Sequence, residues 1–179
     1  MFLGWTGEGI TSPSKDVSIK TSEHKDLEYT AEWKSLISVS VPAKVQVRMS
    51  GGTTENASPV EFVNSSKSDV KVTVSSFAQT AAGDYTLIDR TADEKADWKK
   101  LSHKDRTMAL YVENTKDSGF KTSGTKVYVN DSNKELGVIS PGEKASPYIT
   151  CHHTSSITDE ETTLSMGSYT IQWTVALSQ

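Results

Sequence analysis

The side chains best suited to chemistry lie close together near the C-terminal end of the chain. Cys151, His152 and His153 are consecutive, and the acidic run Asp159–Glu161 follows them. Thiolates, imidazoles and carboxylates are the ligands that zinc takes in proteins, so His152, His153 and Asp159 are the candidate metal ligands. Successive side chains of a strand point to opposite faces, so we expect Cys151 and His153 to share one face and His152 to occupy the other.

This spacing favours a structural interpretation over a metal site. Two ligands on one face are too few for a closed zinc site, which takes four. The Cys-x-x-Cys and His-Glu-x-x-His spacings of strong zinc sites do not occur in the sequence. We therefore predict the end of a strand with a small buried thiol, exposed imidazoles and no cofactor. Oxidation of Cys151, rather than catalysis, is the expected chemistry of this segment.

Other candidate motifs are incomplete. Asp131, Asn133 and Glu135 alternate like the oxygen ligands of a calcium loop, but the glycine and the final bidentate glutamate of such a loop are missing, so a hairpin turn is predicted. No Gly-x-Ser-x-Gly elbow accompanies the histidines, and Gly51-Gly52 has neither the lysine nor the following helix of a phosphate loop. These patterns predict a protein that is not an enzyme.

The aromatic residues leave two interpretations open. Trp98, Tyr111 and Tyr128 could line a carbohydrate site, or they could be core and edge residues of strands. We expect Trp5 and Trp33 in the core of an N-terminal module, Trp173 in the core of the last strand, and Trp98 in an insert. An internal Lys–Asn isopeptide bond would need a buried lysine beside a carboxylate, which the sequence does not locate.

Short apolar runs of period two dominate the rest of the chain. This period puts one set of side chains on a buried face, and Val, Ile, Thr and Tyr suit such a pleated surface. The predicted strands are Ile37–Val41, ended by Pro42, and Val45–Met49, Val60–Val63, Val70–Val74, Tyr85–Ile88, Met108–Val112, Lys126–Val129, Leu136–Ile139, Tyr148–Cys151 and Tyr169–Leu177. Their number and spacing predict an all-β fold, an antiparallel immunoglobulin-like sandwich.

Turns and one helical insert separate these strands. Asn130–Asn133 lies between two strands and has hairpin chemistry, and Ser140–Glu143 contains the Pro-Gly pair of a turn. The segment 91–101 is predicted to form one or two helical turns. Thr91 would cap it, with Asp93 and Glu94 in the first turn and Lys99 and Lys100 near its end.

Composition excludes several classes of protein. The 179 residues carry a formal charge of −4, with both signs interspersed, which argues against a nucleic-acid binder. No apolar run approaches the length that spans a bilayer, so no membrane span is expected. One cysteine cannot form an intrachain disulfide, so this is not a disulfide-stapled scaffold.

The N-terminal segment carries the most specific motif. It contains Phe-Leu-Gly-Trp at Phe2–Trp5 and Tyr-Thr-Ala-Glu-Trp at Tyr29–Trp33. This pattern resembles the later part of the internalin-type B repeat (the Listeria–Bacteroides repeat), a small β module of bacterial surface proteins. The first strand and the Asn-Gly-Gly turn of that repeat do not precede Met1. We therefore expect a partial B-repeat module over residues 1–35 and a sandwich over residues 36–179.

The larger part carries a second, less specific resemblance. Val39–Pro42 and Asn64–Val74 resemble sandwich domains of the camelysin and biofilm-fibre group and of WxL-type surface proteins. The two resemblances together imply a bacterial protein that is extracellular or associated with the cell wall. Some fibre-forming relatives exchange a strand between neighbouring subunits, which keeps a polymeric role open.

Three functions follow as hypotheses. The first is a non-enzymatic surface or secreted protein in structural display or adhesion, with a protein or glycan ligand. The second is a fibre or pilus-like subunit that assembles through β-edges, with the N-terminal segment as the donated strand. The third is a metal-dependent hydrolase that would use His152, His153 and the run Asp159–Glu161.

Overall fold

The computed structural model describes residues 1–19, 26–34, 36–41, 47–50, 53–56, 60–154 and 165–178; for 47–50, 53–56 and 103 it describes the backbone alone. Pro42, Gly51-Gly52 and Asp159–Glu161, which the sequence singled out, lie outside the described residues. The described part is mostly strand, which confirms the prediction of an all-β protein. The chain divides into two compact units, Met1–Leu36 and Ile37–Gln179.

The N-terminal unit is built on a three-stranded antiparallel sheet. Its order is β2-β1-β3, with β1 at Phe2–Gly7, β2 at Ile10–Ser14 and β3 at Tyr29–Trp33. The prediction that Trp5 and Trp33 form a core here is wrong, because their exposed fractions are 39% and 68%. A sheet buries an apolar face only against a second layer, and the described residues of this unit provide no second layer.

The second unit contains twelve described strands. They are β4 (Val39–Ser40), β5 (Val47–Ser50), β6 (Thr53–Asn56), β7 (Phe62–Asn64), β8 (Val70–Ala81), β9 (Thr86–Leu87), β10 (Thr107–Glu113), β11 (Lys126–Tyr128), β12 (Ser132–Ile139), β13 (Lys144–Ala145), β14 (Tyr148–His153) and β15 (Ser168–Leu177). They pair in the orders β11-β10-β14, β12-β8-β15, β13-β7-β4 and β5-β6, with β9 added beside β10. The pairs are antiparallel apart from β9 with β10, which is parallel.

One apolar core joins the sheets around β8 and β10. Alternate residues of β8 and β10 point into it, and Phe62, Leu136 and Ile139 are fully buried among them. The period-two pattern of Val70-Lys-Val-Thr-Val74 produces this arrangement directly, since every second side chain lies on the core side. Trp173 packs on the same core, with its ring centroid 5.2 Å from that of Phe62 in an edge-to-face arrangement.

The hairpin predicted at Asn130–Asn133 is wrong, although the chain does turn there. β11 pairs with β10, whereas β12 pairs with β8, so the turn carries the chain from one sheet to the other. Asn130 and Asn133 have φ values of 74° and 52°, which fits their tolerance of the left-handed region. The same turn residues occur in hairpins and in connections between two sheets. Which of the two forms depends on where the apolar faces of the flanking strands are buried.

The turn predicted at Ser140–Glu143 is confirmed. Gly142 has a φ of 76°, and the Glu143 amide donates to the Ser140 carbonyl at 3.2 Å. Proline at the second position and a positive-φ glycine at the third suit a type II turn.

The helical insert is present with the predicted one to two turns, but it begins and ends earlier than expected and is differently capped. Helix α1 spans Arg90–Lys95, and its N-cap is Asp89, whose carboxylate accepts from the Ala92 amide at 2.9 Å, rather than Thr91. Ala96 is already extended, so Lys99 and Lys100 lie beyond the helix. No helix among the described residues has the length and apolar character needed to cross a membrane.

Candidate functional site

Strand β14 separates the three candidate residues Cys151, His152 and His153. Cys151 opposes Leu110 of β10 and lies in the core, 3% exposed. Burial raises the pKa of its thiol to about 12, with a smaller contribution from the negative charge of Asp93. The predicted burial of the thiol is confirmed. Burial and the raised pKa both argue against the expected oxidation, because the reactive species is the thiolate and its formation and access to solvent are both disfavoured.

His153 and His152 lie in different surroundings. The His153 ring stands edge-on to Tyr85 with centroids 6.1 Å apart, and its Nδ1 lies 3.1 Å from the Thr154 carbonyl oxygen. Its Nε2 is buried and has no hydrogen-bond partner among the described residues. His152 instead points to the outer face of the sheet. The third candidate ligand, Asp159, lies outside the described residues, and in the described part no three His, Cys, Asp or Glu side chains come together as a metal site would require.

His152 belongs to a polar cluster centred on Asp93 of α1. The Asp93 side chain is buried, and its carboxylate accepts from the Tyr128 hydroxyl at 2.6 Å, the Trp98 indole at 3.0 Å and His152 Nδ1 at 2.7 Å. Burial by itself would raise the pKa of Asp93, but the hydrogen bond from Tyr128 and the hydrogen bond and charge of His152 hold it below its usual value. The carboxylate is thus kept ionised by donors on both β11 and β14.

The contacts continue from His152 to two further residues. The Tyr111 hydroxyl lies 3.3 Å from His152 Nε2, and Lys126 Nζ lies 3.5 Å from that hydroxyl and 4.6 Å from the Tyr111 ring centroid. Asp93 accepts the Nδ1 proton of His152, and the Tyr111 hydroxyl is the hydrogen-bond partner of Nε2 on the other side of the ring. A continuous chain of polar contacts therefore runs from Lys126 through Tyr111 and His152 to Asp93.

Arg90, the first residue of α1, attaches the N-terminal end of the helix to the sheet. Its guanidinium donates to the Lys126 carbonyl at 2.7 Å and to Asp131 at 3.1 Å, and it lies 4.9 Å from the Tyr128 ring centroid. Asp131 also accepts from the Tyr128 amide. Together with the bonds to Asp93, these contacts hold α1 over the outer face of β10 and β11.

Packing explains why this position suits His152. His152 opposes Ala109 in the β10–β14 pair, and the small alanine leaves room for the imidazole beside Tyr111. Tyr111 opposes Tyr128 in the β10–β11 pair, with ring centroids 4.8 Å apart. Ala109, Tyr111 and Tyr128 form a second buried cluster under Ile88 and Trp98. Strand β10 is therefore buried on both faces.

The polar groups of this cluster are hydrogen-bonded to one another, which limits the chemistry they can perform. An Asp–His pair acts as a general base through Nε2, and here Tyr111 occupies Nε2. Tyr111 is buried, and burial is the main cause that raises its pKa and that of Tyr128, so neither hydroxyl is an accessible nucleophile at neutral pH. The arrangement ties a helix to a sheet and leaves only part of His152 and Trp98 at the surface.

Sequence reasoning assigned Asp93 to the helix but missed its role. One signal was available: Met108–Val112 is a continuous apolar run rather than an alternating one, which is typical of a strand covered on both faces. Helix α1 is the nearest cover, and its Arg90 and Asp93 hydrogen-bond to the strands below it. The partner in β14 could not be found in this way, because it lies 59 positions away.

The calcium-like pattern does not converge on one site. Asp131 accepts from Arg90 and from the Tyr128 amide, whereas Glu135 lies 3.8 Å from Lys71 on the neighbouring strand. The isopeptide geometry is also not met in the described part, where no lysine is buried. The buried amides of Asn64 and Asn114 instead donate to backbone carbonyls, among them those of Ile139 and Leu136.

A second surface lies in the N-terminal unit, where Phe2, Trp5 and Trp33 form what we call the aromatic face. The Phe2 ring centroid lies 5.5 Å from that of Trp5 and 5.1 Å from that of Trp33. Phe2 opposes Trp33 across the β1–β3 pair. The cluster is continuous, and both indoles are accessible to solvent.

Comparison with family models, curated proteins and solved structures returns no match for this chain. The physical features of the two surfaces are therefore the basis for assigning a function.

Proposed function

We propose that this chain is a non-enzymatic bacterial cell-surface or secreted protein that acts in structural display or adhesion, and that the aromatic face is its contact surface. The observation that carries the proposal is the exposure of Trp33, 68%, beside Trp5 and Phe2. Exposed aromatic clusters on a small sheet are costly in water and typical of surfaces that bind. Tryptophan is also enriched among the few interface residues that contribute most of the binding energy.

The finer fold is part of this proposal. It assigns residues 1–35 to a partial B-repeat module and residues 36–179 to an immunoglobulin-like sandwich. The B-repeat assignment is supported by the Phe-Leu-Gly-Trp and Tyr-Thr-Ala-Glu-Trp segments, which occupy β1 and β3 as neighbours in one sheet. The sandwich assignment is supported by the sheets around β8 and β10, which share one core. An extracellular or wall-associated location follows from the same resemblance.

The alternative functions are less well supported by the contacts. The hydrolase hypothesis needs accessible ligands, but Nε2 of His153 is buried and His152 is engaged by Asp93 and Tyr111. The fibre hypothesis took the N-terminal segment as the donated strand. β1 is already paired on both sides, with β2 and β3, which counts against its donation.

Binding by the full chain on glycan and matrix-protein arrays tests the proposal. Trp33→Ala is expected to weaken binding roughly thirty-fold, the equivalent of about 2 kcal/mol, as truncation of a central aromatic residue does. Tyr148→Ala is the matched control, because Tyr148 is an exposed aromatic residue of the second unit, 46% accessible. The arm of the array that responds identifies the ligand as glycan or protein. Equal effects of the two variants, or an array without binding, would contradict adhesion through the aromatic face.

A further inference from the structure

Among the described strands, β15 is the edge of its sheet over its whole length. Its ten residues, Ser168–Leu177, pair with β8 on one side. Among the described residues no strand pairs with its other side. An edge of this kind presents backbone N–H and C=O groups that another extended strand can satisfy.

The edge lacks the features by which proteins normally protect such strands. Ser-Tyr-Thr-Ile-Gln-Trp-Thr-Val-Ala-Leu contains no charged residue and no proline. The β8–β15 pair has two bulges, and in both the extra residue, Ser75 or Thr80, belongs to β8. Strand β15 itself therefore has no bulge. The opposite edge, β12, carries Lys134 and Glu135 and has its own bulge near Leu136. Protection is therefore present on one edge of this sheet and missing on the other.

The side chains of β15 that point toward the core are only partly covered. Five alternate residues pack on the core yet keep part of their surface accessible, namely Tyr169, Ile171, Trp173, Val175 and Leu177. The residues between them, from Ser168 to Thr174, are exposed and polar. An added strand with the same alternation would extend the apolar layer and remove this surface from water.

We infer that the occupant of this edge is β15 of a second copy of the chain, paired antiparallel with Trp173 on the two-fold axis. This register places Ile171 opposite Val175 of the second copy and Tyr169 opposite Leu177, all on the core side. Gln172 then faces Thr174 of the second copy on the outer side. From Ile171 to Val175 the polarity of the strand is symmetric about Trp173, whereas farther out Thr170 faces Ala176 of the second copy. The strand's lack of charge brings no like charges together, although each chain carries a net charge of −4.

Two double variants of the full chain test both the partner and the register. In Gln172→Lys/Thr174→Lys, lysines would face each other across both symmetric pairs; in Gln172→Lys/Thr174→Glu, each lysine would face a glutamate. Both variants replace the same exposed side chains, and both remove the contact between Thr174 and Ser75. The mass of each is measured by sedimentation over a range of concentrations, with circular dichroism as the check of folding. Ser132→Lys, which adds a lysine near Lys134 on β12, is the control for charge on the protected edge.

We expect the unaltered chain, the Lys/Glu variant and Ser132→Lys to reach twice the monomer mass. The Lys/Lys variant should dimerise at least about ten-fold more weakly, because four like-charged side chains meet at the pair positions. A folded chain that stays monomeric at every concentration would overturn the inference, as would a mass that grows without limit. Equal weakening by the two double variants would overturn the register. The inference does not depend on the aromatic face, whose array test can fail or succeed independently.

Discussion

The Asp93 carboxylate lies 2.7 Å from Nδ1 of His152, although 59 positions separate the two residues in the chain. This contact joins a helix of six residues to the strand that also carries the buried thiol of Cys151. A helix so short has little stability of its own, so it depends on bonds of this kind to the sheet below it.

Replacement of Asp93 should therefore destabilise the second unit. Asp93→Asn removes the charge from three hydrogen bonds, and we expect a loss of about 2 kcal/mol in the free energy of unfolding, measured by urea denaturation. Asp97→Asn is the control, because Asp97 makes an exposed ion pair with Lys100, and its effect should stay within about 0.5 kcal/mol. Similar losses for both variants would show that the cluster does not stabilise the fold.

The contribution of Asp93 should also depend on pH in a defined direction. Its pKa in the folded chain lies below the usual value of 3.8, so the unfolded chain takes up a proton first as the pH falls. The stabilisation is complete well above pH 3.8 and is lost as the pH drops through the folded-state pKa. The difference in unfolding free energy between the unaltered chain and Asp93→Asn should then shrink on acidification. A difference that stays constant from neutral pH to pH 3 would contradict this linkage.

Cys151 should be unreactive while the chain is folded. Its burial and its raised pKa, about 12, predict alkylation by iodoacetamide at pH 8 at least about a hundred-fold slower in buffer than in urea. Since the chain has one cysteine, mass spectrometry of the labelled protein reports this site alone. Comparable rates in the two conditions would mean that β14 opens readily.

Gly4 should be essential to the N-terminal sheet. Its φ is 149°, and a Cβ at this position would lie 2.5 Å from the Ser14 amide nitrogen of the paired strand. Gly4→Ala is expected to disrupt β1–β3 and to expose their amides to hydrogen exchange. Gly9→Ala is the control: its φ of 73° strains an alanine by about 1 kcal/mol, but a Cβ there meets open space. Unchanged exchange in Gly4→Ala would contradict the close approach of β1 and β2.

The all-β class was predictable because it depends on local pattern. Apolar and polar residues alternate regularly in Val70–Val74 and Tyr169–Leu177. Only an extended strand places all the apolar side chains of such a pattern on one face, and both segments lie in strands. The turn at Ser140–Glu143 was predictable for a similar reason, since Pro141 and Gly142 restrict the backbone within four residues. In each case the determining interactions lie within the segment itself.

The pairing of strands and the polar cluster were not predictable in this way. Asn130–Asn133 has turn chemistry that suits a hairpin, yet β12 pairs with β8 because its Leu136 and Ile139 are buried in the core that β8 supplies. His152 was a candidate metal ligand by its neighbours in sequence, and its contacts are instead Asp93 and Tyr111. The sequence alone determined which segments extend, where the backbone turns, and that polar and apolar faces alternate. Only the tertiary structure decided which strands pair, which carboxylate accepts the hydrogen bond from His152, and which edge stays unpaired among the described strands. These outcomes depend on burial between residues far apart in the chain.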